Sequence, residues 1–177
     1  MRRFAVLGLL VCLAAPTAAW ALRSAPGDGT LAVRNGDGQL NLVVLDGIVI
    51  GKLDGGTMEI VSAEISDCDE LNVWGADRGP FDRTRDGDGI TRTRCVFREY
   101  PNAGTREATR FRLVLQNATL LFRPGSTGIS LSAIGRGLGF IKGVGGIDGF
   151  YSLNGEAFRS LPDDGRRFPL AANATLR

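Results

Sequence analysis

The residue types best able to do chemistry in this chain are its carboxylates. Asp82, Asp86 and Asp88, with Gly87 and Gly89 between and after them, form an oxygen-rich, glycine-turned stretch of the kind that wraps Ca²⁺. The EF-hand register is not met: with Asp82 in first place the twelfth residue is Thr93, and the interleaved Arg83 and Arg85 repel a cation. Asp67, Asp69 and Glu70, with Glu59, Glu64 and Glu99, supply the acids from which a carboxylate-based hydrolase would draw a pair about 5–9.5 Å apart. Arg110, Arg112 and Arg123 form a third constellation, a candidate face for an anion.

Other chemistries are excluded by what the chain lacks. It has no histidine, hence no Ser-His-Asp triad, imidazole base or His-ligated metal. Neither G-x-S-x-G nor S-x-x-K occurs, so no serine has an activating elbow or base. The glycine-rich stretch from Gly135 to Gly149 has no G-x-G-x-x-G register. Gly51-Lys52 lacks the upstream glycine and the Ser/Thr of a P-loop. Turn glycines account for both. No catalytic residue and no bound cofactor is expected beyond the Ca²⁺ candidate.

The elements that must position these residues begin after a leader. Arg2-Arg3, the apolar run Phe4–Ala15, Pro16 and the small residues of Ala19-Trp20-Ala21 have the layout of a secretory signal peptide cleaved after Ala21. The apolar run is too short to cross a ~30 Å bilayer. The expectation is a signal peptide over 1–21, a single β-domain over 22–177, and a secreted or periplasmic protein with no membrane span after cleavage. Losing Arg2 and Arg3 leaves 19 basic against 19 acidic side chains, so no basic excess remains for nucleic-acid binding. The two cysteines left, Cys68 and Cys95, form an even count that in an oxidising compartment reads as a disulfide.

Glycines punctuate short alternating runs throughout the mature chain, and helical spacing is hard to find. Thr30–Arg34, Leu40–Val44, Ile48–Ile50 and Thr57–Val61 are separated by Asn35-Gly36-Asp37-Gly38, Asp46-Gly47 and Asp54-Gly55-Gly56. Two-residue Asn-Gly and Asp-Gly loops suit hairpins, so an antiparallel meander of four strands is expected here. Leu71–Trp74 and Arg94–Arg98 are two further short strands, flanking a long charged loop at about 75–93. A Gln116-Asn117 turn is expected to pair Phe111–Leu115 with Ala118–Phe122. That hairpin would put Phe111, Leu113, Leu115, Ala118, Leu120 and Phe122 on a core face and set Arg110 opposite Arg123, two arginines splayed into water, with a nearby carboxylate or bound anion as the alternative. Another turn is expected at Asn154-Gly155. About ten short strands make an antiparallel β-sandwich or open β-barrel, with a β-solenoid as the alternative.

Gly29-Thr30-Leu31-x-Val33, the phrase Gly128-Ile-Ser-Leu-Ser-Ala-Ile-Gly-Arg-Gly137 and Asp148-Gly-x-Tyr-Ser-x-Asn-Gly155 through Leu161-Pro162 follow the leader. With them the chain resembles a group of short secreted bacterial β-rich proteins that has no assigned function. That resemblance implies an exported β-protein and carries over no site residues. The function expected from the sequence is a non-enzymatic structural or interaction module of the cell envelope or extracellular space, with an envelope protein or polymer as partner. The alternatives are a ligand-binding module for an anionic polymer or sugar, with or without Ca²⁺, and the carboxylate-based hydrolase.

Overall fold

The computed structural model describes residues 26–79, 81–98, 107–146 and 148–172. The expected leader lies outside them, as does Glu99. The described chain is almost entirely β, as its alternation and turn residues predict: β1 (Gly29–Leu53), β2 (Thr57–Ser62), β3 (Asn72–Trp74), β4 (Asp77–Arg78), β5 (Asp82–Arg85), β6 (Thr91–Arg98), β7 (Thr109–Gly143), β8 (Phe150–Leu153), β9 (Arg159–Ser160) and β10 (Arg166–Leu170). A 3-10 turn, Cys68–Glu70, precedes β3. Among the described residues no helix is long and apolar enough to cross a membrane.

All ten strands join one antiparallel sheet that does not close. The architecture is that of an open barrel or sandwich, and the antiparallel ladders set aside the solenoid. The strands are very unequal: β1 has 25 residues and β7 has 35. The expected meander is therefore not formed. Asn35–Gly38 and Asp46-Gly47 lie inside β1, and Gln116-Asn117 lies inside β7. The reason is occupancy of strand edges. Residues 118–122 of β7 already pair with 40–44 of β1 on one side and with β2 on the other. Phe111 pairs with Gly51 on one side and Val73 on the other, leaving no edge for a hairpin partner. Residues with φ > 0 here (Asn35 at 48°, Asn117 at 45°) bend a continuous strand instead of reversing it.

The bend is severe. Phe111 and Phe122 are eleven residues apart on β7, about 36 Å if the strand ran straight, yet their ring centroids are 5.8 Å apart. The long strands thus fold the sheet over on itself, and the apolar sides of the two halves meet. Burial changes phase at the corner, from 109, 111, 113 and 115 to 118, 120 and 122 on β7. Glycine lets the strands approach there: a Cβ on Gly47, Gly135 or Gly137 would run into the backbone of the neighbouring strand. The enclosed core includes Leu31, Leu40, Leu42, Met58, Ile60, Phe97, Phe111, Leu113, Leu120, Phe122 and Ile141. All six residues expected on the core face of the 111–122 segment are buried, although no hairpin puts them there.

The charged stretch 75–93 is more ordered than the expected loop. β4 and β5 both pair with β6, and β5 joins β6 through a tight turn at Asp86–Gly89. Cys68 and Cys95 form the expected disulfide, with Cα atoms 5.5 Å apart, tying the 3-10 turn to the middle of β6. At the other end of the sequence, Asn154-Gly155 makes its turn with φ of 49° and 74°, and β8 pairs with β9 beyond it.

Candidate functional site

The structure separates the three constellations. At the β5–β6 turn, the Asp86 carbonyl accepts from the Gly89 N–H at 2.8 Å and the Asp88 Oδ1 accepts from the Ile90 N–H at 2.9 Å. Arg92 binds both carboxylates, Asp86 through one guanidinium nitrogen and Asp88 through the other at 2.8 Å. Asp82 is on β5, in register with Arg94. Asp82, Asp86 and Asp88 are therefore not gathered around a common point, and a guanidinium stands where the Ca²⁺ reading puts a cation. Among the described residues no group of three or more His, Cys, Asp or Glu side chains is placed to hold a metal.

Four of the acids behind the hydrolase reading, Glu59, Asp67, Asp69 and Glu70, are engaged by neighbouring groups, while the Glu64 side chain lines an open cavity beside Glu70. Glu59 sits on β2 between Met58 and Ile60 and is 3% exposed. Its Oε1 accepts from Arg123 Nε at 2.6 Å, and its Oε2 accepts from Arg94 at 3.0 and 2.8 Å. Burial pushes the carboxyl up, but the hydrogen bonds from Arg123 and Arg94 and their charges outweigh it and hold Glu59 below the usual carboxylate range. Arg123 is raised in turn, mainly by its bond to Glu59. Asp67 caps the 3-10 turn by accepting from the Asp69 N–H. Glu70 accepts from Ser66, and Asp69 pairs with Arg78.

The anion face requires a correction. Arg123 does not lie opposite Arg110, because the hairpin that would align them is absent. Arg123 is not splayed into water but pairs with the carboxylate of Glu59, which among the three arginines it alone engages. Arg110 and Arg112 lie on β7 before the bend at Gln116-Asn117, and Arg123 after it. Arg110 is in register with Lys52 of β1 on one side and Trp74 of β3 on the other. Arg112 is in register with Ile50 and Asn72. Cross-strand partners share a face, so Trp74, Arg110 and Lys52 form one row and Asn72, Arg112 and Ile50 the next. Lys52 is held by Asp54 at 2.8 Å. Arg110 and Arg112 are exposed and make no ion pair among the described residues.

Trp74, 55% exposed, is the residue that the charged motifs do not bring to notice. Its position was implicit in Leu71-Asn72-Val73-Trp74: with Leu71 and Val73 turned inward, alternation turns Asn72 and Trp74 outward. Trp74, Gly75, Glu107, Ala108 and Arg110 line an open cavity of about 420 Å³. A flat aromatic surface, a guanidinium without an ion-pair partner among the described residues and a carboxylate thus converge on one depression at the sheet edge. Elsewhere on the sheet, exposed Val43 lies in register with exposed Leu138, and Leu138 with Pro169, an apolar row without charges of its own.

Comparison with protein-family models, with curated proteins and with solved structures finds no match for this chain.

Proposed function

We propose that the protein is a non-enzymatic, disulfide-stapled β-domain of the cell envelope or extracellular space, and that it works as an interaction module through the face bearing Trp74, Arg110 and Arg112. The observation that supports this reading is the contrast in how charge is used. Buried Glu59 is taken up by two arginines, and Asp86 and Asp88 share a third. Among the described residues Arg110 and Arg112, by contrast, have no acid partner and stand beside a large exposed aromatic. Exposed tryptophan and unpaired arginine are the residue types that contribute most to binding surfaces, because each combines large contact area with directional donors. Export is part of the same proposal, resting on the leader and on a disulfide that an oxidising compartment would sustain.

A photo-crosslinking amino acid at Asn72, beside the face, tests the module in producing cells. The expected result is a high-mass adduct that disappears when Arg110→Glu is added. Labelling no stronger than with the same probe at Ala157, near β9, would overturn the reading. N-terminal sequencing of the exported fraction is expected to begin at Leu22.

A further inference from the structure

Resting on that module reading, we propose that the Trp74 face takes an acidic oligosaccharide, a chain of sugar rings bearing carboxylates. The chemistry of the depression selects this class. The indole of Trp74 offers a flat apolar surface on which the C–H face of a sugar ring can stack, while its edge remains in water. Arg110, directly across the β3–β7 ladder, presents a planar fork that matches a carboxylate through two parallel N–H bonds. Glu107 lines the same depression and accepts hydrogen bonds from ring hydroxyls. Arg112 and Asn72 continue the face along the strands, one as a second carboxylate fork and the other as a hydroxyl partner.

The mixture of signs is what separates a uronate chain from a polyphosphate. A phosphate polymer is bound chiefly by accumulated positive charge, whereas here Lys52 is paired with Asp54 and a carboxylate lies in the cavity itself. Each sugar in a uronate chain brings one carboxylate among several hydroxyls, in keeping with two arginines interspersed with an acid, an amide and an aromatic. Four neighbouring strand segments, 72–74 of β3, 110–112 of β7, 50–52 of β1 and 130–132 of β7, carry the face, about 14 Å across at the usual strand spacing. That is room for a short oligosaccharide.

The test is calorimetric titration of the full chain with trigalacturonate, with its methyl ester as an uncharged probe of the same shape, and with inorganic polyphosphate and single-stranded DNA as the rival polyanions. Trigalacturonate is expected to bind at least tenfold more tightly than the ester and than either rival. Trp74→Ala and Arg110→Ala are each expected to weaken it tenfold or more, Trp74→Phe to restore most of the affinity, and Arg123→Ala to change nothing. All these positions are exposed, and unchanged circular dichroism shows that the variants fold. No binding of trigalacturonate at millimolar concentration, equal binding of the ester, tighter binding of polyphosphate or DNA, or full affinity in Trp74→Ala would each overturn the proposal. If trigalacturonate fails while the Asn72 probe still captures an Arg110-dependent partner, the ligand class falls and the module reading stands. If both fail, both fall.

Discussion

The two ends of the 109–123 limb of β7 carry arginines under opposite conditions. At one end Arg123 meets the buried carboxylate of Glu59, which Arg94 of β6 also grips, so three side chains from three strands lock together. At the other end Arg110 and Arg112 look out beside Trp74 without an ion pair among the described residues, Glu107 lining the same depression as Arg110 without pairing to it. The same residue type on the same strand is a structural strut in one place and an unspent recognition group in the other. Residue type and spacing do not distinguish the two cases; only the partner brought across the ladder does.

Four measurements test that contrast, beginning with the bend that creates it. Phe111→Ala or Phe122→Ala should cost about 3–5 kcal/mol in denaturant unfolding, the range for emptying a buried aromatic site. The double variant should show coupling of roughly 0.5–1.5 kcal/mol, as expected for rings in contact. Additive losses would mean that the two ends of the limb do not fold back on each other. Next comes the disulfide: replacing Cys68 and Cys95 with serine should cost roughly 3–4 kcal/mol for a closed loop of this length. Non-reducing mass spectrometry that counts two free thiols in the wild type would contradict the bridge.

Glu59→Gln comes third, at about 1–3 kcal/mol for charge-assisted bonds to partly solvated arginines. Its pH dependence supplies a second reading. Glu59 titrates lower in the folded chain than its ordinary value of 4.5. Its contribution is therefore fully present above that value and disappears as pH falls through the lower, folded one. The wild type should lose more of its thermal midpoint than Glu59→Gln between about pH 5 and strongly acidic conditions; parallel curves would show that the pair is only geometric. The smallest effect belongs to the other end. Arg110→Ala and Arg112→Ala should each stay within about 0.5 kcal/mol of wild-type stability, since both side chains are exposed and without an ion pair among the described residues. A loss comparable with that of Glu59→Gln would make them struts too and remove the contrast.

Several features of the molecule could be read from local pattern alone. Period-two alternation identified the β character and the inward set from Phe111 to Phe122, because burying one face of a strand depends only on which residues alternate. The cysteine count pointed to the bridge, and Asn154-Gly155 to a turn. The same φ > 0 chemistry misled at Asn35-Gly36 and Gln116-Asn117, while at Asp46-Gly47 the glycine serves close approach of the neighbouring strand. A residue that can adopt a left-handed conformation serves a bulge or corner as well as a hairpin, and which one forms depends on whether a distant strand already occupies the edge.

The candidate site divides along the same line. Trp74 was destined for solvent by its place in a four-residue alternation, and the lack of histidine narrowed the chemistry before any fold was known. That Glu59 would claim Arg123 and Arg94, that Arg92 would claim Asp86 and Asp88, and that Arg110 would stand beside Trp74 all depend on ladders joining segments 35 to 64 residues apart or on the geometry of a turn. Alternation along one strand is a local consequence of backbone geometry and side-chain polarity, so it is written in consecutive residues. Cross-strand neighbours are chosen by long-range pairing and by the sharp bend of β1 and β7, and only the folded sheet determines which charges meet.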